Sequence, residues 1–281
     1  MQIITTIAEA KEVCRAWQLE GLTIGLVPTM GYLHQGHASL MQAARAENDR
    51  LVATIFVNPT QFGPNEDFER YPRDLEADAA LAKAIGVDML FCPEVTEMYP
   101  PGYISYLEPA GLTDCLCGAS RPGHFRGVCT VVLKLFNIIR PDKAYFGQKD
   151  AQQFAVLNRM VADMDLDLKM RRMPIVREAD GLAMSSRNVY LSATERQEAL
   201  ALNRALQAVE QLFKAGERQT KVLIAAMQAE LGQTLVGSLD YLEIVDLETL
   251  EPIAQIESSA LCALAVFFGK TRLIDNVVLE I

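Results

Sequence analysis

Two histidines in the segment VPTMGYLHQGH, residues 27–37, are the side chains in this chain that most clearly could do chemistry. His34 and His37 flank Gly36, and the chain has 3 histidines in all. Imidazole donates hydrogen bonds to phosphate oxygens and is the side chain most easily charged near neutral pH. Such a pair could also belong to a metal site or lie at the surface by coincidence, but zinc would need further His or Cys ligands.

The pattern around the histidines predicts the elements that position them. The apolar run 22–27 precedes them and indicates a buried strand, while residues 38–48 follow with apolar residues at helical spacing. The histidines therefore lie where a strand turns into a helix, at the edge of an open α/β sheet where ligands bind. A helix beginning near Gly36 points free N–H groups and its positive end at an anion, and Gly31 allows close approach to the backbone.

Further elements continue this alternation of strand and helix. A capping box at residues 6–9 opens the first helix, and a polar loop is expected at residues 58–65. Predicted strands are 22–27, 51–57, 88–91, 143–146 and 166–176, and predicted helices are 7–18, 38–48, 75–85, 128–139 and 151–164. Residues 93–123 are expected to be irregular. The fold class is therefore α/β, a Rossmann-like parallel sheet with helices on both faces.

The character of the sequence changes after residue 175. A second capping box at Ser192 predicts a long amphipathic helix to about residue 215, and Thr220 is expected to cap another helix to about residue 231. Strands are predicted at 241–245, 259–268 and 271–281. We expect residues 1–175 to form the Rossmann-like domain and residues 176–281 to form a smaller α+β domain.

The composition narrows the class of function. The net charge is −10 over 281 residues, which argues against a broad nucleic-acid surface. No apolar run reaches the roughly 18–20 residues that span a bilayer, and the N-terminus lacks a signal pattern, so we expect a cytoplasmic protein without a membrane segment. Six scattered cysteines are expected to be free thiols in a reducing compartment.

Five more short motifs follow the histidine segment in a characteristic order. They are IFVNPTQF at 55–62, YPR at 71–73, RPGHFRGV at 121–128, FGQKD at 146–150 and MSSRN at 184–188. With the H-x-G-H motif at residues 34–37, they make the chain resemble the pantothenate synthetase family, within a superfamily of adenylyl-transferring enzymes. The resemblance extends from about residue 22 to the C-terminus.

The resemblance implies a ligase. ATP would activate the carboxylate of pantoate as an acyl adenylate with release of pyrophosphate, and the amine of β-alanine would then displace AMP. ATP is a substrate in this scheme and Mg²⁺ its counter-ion. The expected partners are pantoate, β-alanine and a second copy of the chain in a homodimer, with no nucleic acid and no membrane. The second domain is expected to close over the ATP site.

The resemblance also assigns residues. Catalytic roles fall to His34, His37, Lys149 and Arg187, with His37 stabilising or protonating the developing charge. The expected ATP contacts are Met30, Gly31, His34, Gly36, His37, Gly147, Lys149, Asp150, Val176, Met184, Ser185, Ser186 and Arg187. The expected substrate contacts are Thr29, Gln61, Gln153, Asn58 and Arg121, and the expected metal ligand is Asp78.

Three of these motifs leave alternatives open. Asn58 could be structural, and His124 could be a structural hydrogen-bonding residue. Asp78 could lie on a solvated helix face, and Ala77 stands where the family pattern has a second acidic residue. At the level of function, the rivals are a nucleotidyltransferase with the same histidine motif and a nucleotide-binding regulator without catalysis.

Overall fold

A computed structural model describes residues 1–64 and 66–281, so Asn65, the last residue of the predicted loop 58–65, lies outside the described part. The chain forms two compact units. The first comprises Met1–Pro109, Arg121–Gly147 and Val156–Pro174, and the second comprises Ala110–Ser120, Gln148–Ala155 and Ile175–Ile281. The domain division after residue 175 stays a prediction.

Six parallel strands form the sheet of the first unit. They are β1 Gln2–Ile4, β2 Ile24–Thr29, β3 Arg50–Ile55, β4 Met89–Phe91, β5 Lys143–Gly147 and β6 Lys169–Met173. Their spatial order is β1-β4-β3-β2-β5-β6, with every neighbouring pair parallel. Strands β2 and β3 are buried along nearly their whole length, which is typical of parallel strands covered on both faces.

Helices connect the strands. They are α1 Ile7–Leu19, α2 Gln35–Glu47, α3 Leu75–Ile85, α4 Val95–Met98, α5 Leu116–Ser120, α6 His124–Ile139 and α7 Ala151–Asp163. Helix α1 contacts α6, and α2 contacts α3. Parallel crossovers are right-handed, so connections that run in opposite directions along the sheet place their helices on opposite faces. The predicted α/β class is confirmed.

The order of the strands reverses beside β2. The chain moves from β2 to β3 on one side and later returns to β5 on the other side. Such a switch point opens a crevice at the carboxyl ends of the two strands, where Thr29 ends β2 and Gly147 ends β5. Below this edge, Val27, Leu51 and Tyr145 belong to one fully buried core.

The second unit contains a three-stranded antiparallel sheet and helices that pack on it. The strands are β7 Gly237–Asp246, β8 Ala260–Phe268 and β9 Thr271–Leu279, in the order β7-β8-β9. The helices of its C-terminal part are α8 Ala193–Glu198, α9 Leu200–Lys214 and α10 Thr220–Leu231. Leu206, Met227 and Leu264 lie in their common core, as expected for an α+β arrangement.

Some predicted elements were wrong in detail. The single helix expected from Ser192 is two helices, separated at the fully buried Ala199, a residue type that gives no local signal for a break. Gln219, and not Thr220, is the N-cap of α10, because the Thr220 hydroxyl donates to the carbonyl groups of Ile253 and Ala254. Strand β1 and the short helices α4 and α5 were not predicted. Throughout the described residues, no helix has the length and apolarity to cross a membrane.

Candidate active site

The two histidines of the H-x-G-H motif form a reciprocal cap on helix α2. His34 is the N-cap residue, and its Nδ1 atom accepts the N–H of Gly36 at 3.1 Å. The Nδ1 atom of His37 accepts the N–H of His34 at 3.3 Å. The two ring centroids lie 4.1 Å apart. The chain therefore uses histidines where a capping box ordinarily has Ser or Thr followed by Glu.

This cap determines which nitrogen of each imidazole ring carries the proton. A nitrogen that accepts a backbone N–H carries no proton, so each neutral ring holds its proton on Nε2. The Nε2–H groups of His34 and His37 are therefore donors, beside the N-terminus of a helix whose dipole favours anions. Such a pair of donors suits phosphate oxygens, and the contact of these two residues with ATP stays a prediction.

The turn that carries the histidines has an unusual backbone. Gly31 has φ +83° and Tyr32 has φ +50°, so two consecutive residues are left-handed. The N–H groups of Tyr32 and Leu33 donate to the carboxylate of Asp78, at 2.7 and 2.6 Å. Burial raises the pKa of Asp78, and the two N–H groups oppose that rise. The contacts of Asp78 favour an anchor for the turn over the predicted magnesium ligand.

Thr29, predicted to contact substrate, also holds the turn together. Its hydroxyl donates to the carbonyl of Thr54 at 2.6 Å and accepts the N–H of Gly31 at 3.1 Å. The side chain is buried. The hydroxyl thus ties the ends of β2 and β3 to the start of the histidine turn, and any contact with substrate remains a prediction.

A 3-10 turn at Pro59–Gln61 follows β3 and carries Gln61. The Gln61 side-chain oxygen accepts from the Nδ2 atom of Asn58 at 3.0 Å, and its nitrogen donates to the sulfur of Met30 at 3.2 Å. Asn58 is 1% exposed and also donates to the carbonyl of Gly127 at 3.1 Å. Asn58 thus orients the Gln61 amide, and this favours the structural alternative for Asn58. The oriented amide in turn contacts Met30.

Arg121 and His124 hold the same turn from its other side. His124 Nδ1 lies 2.9 Å from the carbonyl oxygen of Gln61, and Arg121 donates to that oxygen at 3.3 Å and to His124 Nε2 at 3.1 Å. Arg121 also pairs with both carboxylate oxygens of Glu66. Although burial opposes it, the bond and charge of Arg121 hold the pKa of Glu66 below its usual range. These contacts favour support of the turn over direct binding of substrate.

Gly127 belongs to the RPGHFRGV motif at residues 121–128, but no role was predicted for it. It lies in α6 against the 3-10 turn, where a Cβ atom would overlap the carbonyl of Thr60 and lie 2.6 Å from the Cα atom of Gln61. Only glycine allows helix and turn to approach so closely. A glycine on an otherwise buried apolar helix was the available signal.

In the second unit, Asn276 anchors the segment that carries Lys149. This buried residue of β9 donates to the carbonyl groups of Gln148 and Lys149, at 3.0 and 2.9 Å, and accepts from the side chain of Gln148 at 2.7 Å. Within the described chain, no carboxylate lies at ion-pair distance from the Lys149 ammonium. The lysine thus offers a positive charge of the kind that phosphate binding requires. Lys149 lies in a 3-10 turn at Gln148–Asp150, which ends at Asp150, and Gln153 lies in the first turn of α7.

A short hairpin brings Val176 and Met184 together. The N–H of Met184 donates to the carbonyl of Val176 at 3.0 Å, and Arg177 and Ala183 form an antiparallel bridge. Ser185 then caps a 3-10 turn, its hydroxyl accepting the N–H of Arg187 at 3.2 Å. Arg177 holds the hairpin on β9 through a pair of bonds to the buried Asp275, at 2.6 and 3.0 Å.

The predicted site residues therefore form one set in each unit. The set of the first unit surrounds the histidine turn and consists of Thr29, Met30, Gly31, His34, Gly36, His37, Asn58, Gln61, Asp78 and Arg121, with Gly147 at the end of β5. The set of the second unit consists of Lys149, Asp150, Gln153, Val176, Met184, Ser185, Ser186 and Arg187.

Neither a metal cluster nor an activated thiol accompanies these sets. In residues 1–64 and 66–281, no group of three or more His, Cys, Asp or Glu side chains is placed to hold a metal ion. All six cysteines are free. Burial raises the pKa of Cys14 and of Cys129 to about 12, which suits inert core residues.

A parallel sheet with its ligand edge at a switch point, and a helix N-terminus capped by two histidines at that edge, define a Rossmann-like nucleotide-binding protein. Residues 2–278 match the family model described as pantoate-beta-alanine ligase. The chain belongs to the pantoate–β-alanine ligase family.

Individual relatives agree with this assignment. The pantothenate synthetase of Moorella thermoacetica is 57% identical over 281 residues, covering 100% of this chain and 99% of the relative. A crystal structure of pantothenate synthetase from Thermus thermophilus is 45% identical, with a TM-score of 0.94 and full coverage of both chains. A pantoate-beta-alanine ligase from Francisella tularensis, complexed with beta-gamma ATP and beta-alanine, is 34% identical with a TM-score of 0.81, covering 99% of this chain and 97% of that one.

Proposed function

We propose that this chain joins pantoate to β-alanine in two steps at the expense of ATP. In the first step, a pantoate carboxylate oxygen attacks the α-phosphorus, and the bond from that phosphorus to the bridging oxygen breaks, releasing pyrophosphate. In the second step, the amine of β-alanine attacks the acyl carbon, the bond to AMP breaks and the amine loses a proton. The products are pantothenate, AMP and pyrophosphate.

The observation that carries this proposal is the reciprocal cap of His34 and His37 on α2, in a chain that matches the ligase family over residues 2–278. In the first step, negative charge grows on the departing pyrophosphate. Donors that are already fixed in place stabilise such charge without reorganisation, and this is usually the largest single contribution to catalysis. Two Nε2–H groups and the N-terminus of α2 supply donors of that kind.

The remaining roles follow the resemblance. Lys149 and Arg187 are proposed to neutralise phosphate charge, with the hydroxyl and N–H groups of Ser185 and Ser186 as further donors. Asp150 is proposed to accept from ribose hydroxyls, and Val176 and Met184 to contact the nucleotide. Gln61 and Gln153 are proposed to bind pantoate, because an amide side chain both donates and accepts and so suits a hydroxyl beside a carboxylate.

We propose, from the same resemblance, that the reaction uses magnesium and that the protein is a cytoplasmic homodimer. Magnesium is proposed to enter as the counter-ion of ATP, whose phosphates supply oxygen ligands. Both oxygens of the buried Asp78 accept backbone N–H groups, and this does not fit a hydrated ion. No step is therefore assigned to a metal held by the protein.

The experiment that tests this function is isotope exchange between pyrophosphate and ATP. Exchange should require pantoate and proceed without β-alanine, because the adenylate forms before the amide. Adding β-alanine should then give AMP and pantothenate in equal amounts. A requirement for β-alanine in the exchange would contradict a separate adenylate step, and transfer of AMP to a product that retains it would favour the rival nucleotidyltransferase.

The Gln61→Ala variant sharpens the test. Gln61 is assigned to pantoate, so its loss should raise the pantoate concentration needed for half-maximal exchange. The matched control is Gln18→Ala, which removes an amide that bonds the carbonyl of Arg140 at an exposed site. An equal effect of both substitutions on the pantoate concentration would contradict the assignment of Gln61 to the pantoate site.

A further inference from the structure

The carboxylate of Asp78 fills a backbone concavity in the histidine turn. Its two oxygens accept the successive N–H groups of Tyr32 and Leu33, at 2.7 and 2.6 Å, and the residue is 3% exposed. Successive N–H groups in such a turn form a concavity that binds anions. Here the anion is a side chain of the protein, delivered by the first turn of α3.

The backbone of the turn needs this support. Gly31 and Tyr32 have φ angles of +83° and +50°. The left-handed region is unfavourable for a residue with a side chain, so Tyr32 keeps it only when its surroundings impose it. The two bonds from Asp78 supply that constraint directly before His34, the residue that begins the cap of α2.

The space around the carboxylate is also closed. A Cβ atom at Gly31 would lie 3.0 Å from the Oδ2 atom of Asp78 and 2.9 Å from a methyl carbon of Ile55. Magnesium keeps several of its water molecules when it binds to proteins, and it needs octahedral room for them. Ala77 is exposed and offers no second carboxylate, while Asp74 uses its own oxygen to accept the N–H of Ala77 at 3.0 Å.

We propose that Asp78 is a positioning residue, which holds the histidine turn so that the Nε2–H groups of His34 and His37 meet the phosphates, and that it does not bind magnesium. This inference rests on the proposed function, because it assigns Asp78 a part in adenylate formation. It acts through the backbone of Tyr32 and Leu33, and not through contact with ATP. A shift of about 1 Å in catalytic donors can lower a rate about 100-fold.

The test compares Asp78→Asn and Asp78→Ala with Glu76→Gln. Asparagine keeps one acceptor for the turn and alanine keeps none, while Glu76 is an exposed carboxylate two residues earlier in the same helix. Four quantities are measured in each protein. They are amide hydrogen exchange at Tyr32 and Leu33, the maximal rate of pantoate-dependent exchange between pyrophosphate and ATP, the KM for pantoate in that reaction, and the Mg²⁺ concentration that gives half of the maximal rate.

We expect exchange at the Tyr32 and Leu33 amides to become roughly ten- to hundredfold faster in the alanine variant, and less so in the asparagine variant, because charged hydrogen bonds are lost. The maximal rate should fall in the same order, by about 100-fold for alanine. The Mg²⁺ concentration at half of the maximal rate, and the KM for pantoate, should stay within about twofold of the original values. A twofold change is small beside the tenfold change that about 1.4 kcal/mol of binding free energy would cause.

Two outcomes would overturn the proposal. One is a rise in the Mg²⁺ requirement of the asparagine variant while the two amides exchange as before. The other needs no variant: in the original protein without ATP, Mg²⁺ at millimolar concentration should leave both amides unchanged, and altered exchange would place a metal at Asp78. Because the amide measurements do not depend on turnover, failure of the proposed function would show separately, as absence of pyrophosphate exchange in the original protein.

Discussion

The backbone N–H of His34 donates to the Nδ1 atom of His37 at 3.3 Å, so the second histidine of the motif caps the helix that the first one begins. One ring thus has two separable functions. Its Nδ1 atom serves the fold as an acceptor, and its Nε2–H group is proposed to serve the reaction as a donor. Substitutions at this position can remove one function and keep the other.

The first prediction uses this separation at His37. In His37→Asn, the side-chain oxygen can replace Nδ1 as the acceptor of the cap, but nothing replaces the Nε2–H donor. Pantoate-dependent pyrophosphate exchange should fall by about 10²- to 10³-fold, as expected for the loss of one preorganised donor. The midpoint of thermal unfolding should stay close to that of the original protein.

The matched variant is His37→Ala, which loses both functions. It should be as inactive as the asparagine variant and should lose in addition about 1 kcal/mol of unfolding free energy, the typical contribution of a helix cap. Comparable stability of the two variants would contradict the capping role of His37. Near-normal pyrophosphate exchange in either variant would contradict its catalytic role.

The sequence predicted those parts of the site that depend on neighbours along the chain. The histidine turn was placed between a strand and a helix because apolar periodicity and glycines are local signals, and α3 was predicted with its observed bounds, Leu75–Ile85, for the same reason. Sequence patterns could not show that Asp78 anchors a turn 46 residues away, since only the fold brings them together.

The structural roles of Asn276 and Gly127 were missed for a similar reason. Asn276 holds the carbonyl groups of Gln148 and Lys149 from β9, 128 and 127 residues away along the chain. Gly127 shows its role only where α6 meets the turn at Pro59–Gln61. In both cases a common residue type gains its function from a distant partner. A glycine in a largely buried helix is a local signal at Gly127, but it does not identify that partner.

The second prediction concerns Gly127→Ala. The added methyl group would overlap the carbonyl of Thr60, so the turn that carries Gln61 must move. Overpacking of this kind costs about 1–3 kcal/mol of stability. Because Gln61 is proposed to bind pantoate, the KM for pantoate should rise by about tenfold or more, which corresponds to about 1.4 kcal/mol. Steady-state kinetics with varied pantoate and saturating ATP measure this.

Arg126→Ala is the control for that substitution. Arg126 precedes Gly127 in α6, is exposed and stacks on the ring of Tyr106. Its loss should leave the KM for pantoate unchanged. If Gly127→Ala also left that KM unchanged while lowering stability, the contact between α6 and the turn would have no part in binding pantoate.

The third prediction follows from the pair of Glu66 and Arg121. The pKa of Glu66 is lowered in the folded protein, so folding favours its ionised form. The pair therefore stabilises the fold above the usual glutamate pKa of about 4.3, and this contribution disappears as the pH falls through the lower value of the folded state. Glu66→Gln should destabilise the protein by about 1–2 kcal/mol at pH 7.

Thermal unfolding of both proteins across pH measures this difference. The difference between their unfolding midpoints should have its largest value at pH 7 and should shrink steadily below about pH 4. There the Glu66 carboxyl of the original protein also becomes neutral. Glu69→Gln, which neutralises an exposed carboxylate nearby, should show no such gap. A gap for Glu66→Gln that persisted unchanged at pH 3 would show that lost packing, and not lost charge, causes the destabilisation.

The last prediction concerns the loop at residues 184–188. Ser185 caps its 3-10 turn by accepting the N–H of Arg187, and the resemblance assigns the hydroxyl, N–H and guanidinium groups of this loop to the triphosphate. Binding of ATP should therefore slow amide hydrogen exchange at residues 185–187. Loops that become ordered around a reactive acyl intermediate also exclude water, which would otherwise hydrolyse it.

Arg187→Ala should weaken this protection and slow formation of the adenylate by more than it weakens binding of pantoate, because the lost cation is proposed to face phosphate charge that grows in the transition state. The control is Arg204→Ala, which removes a half-exposed arginine of α9 that pairs with Glu230 at 3.4 Å and is assigned no ligand. That variant should keep both the protection and the rate. Equal amide exchange at residues 185–187 with and without ATP would rule the loop out as a binding site for the triphosphate.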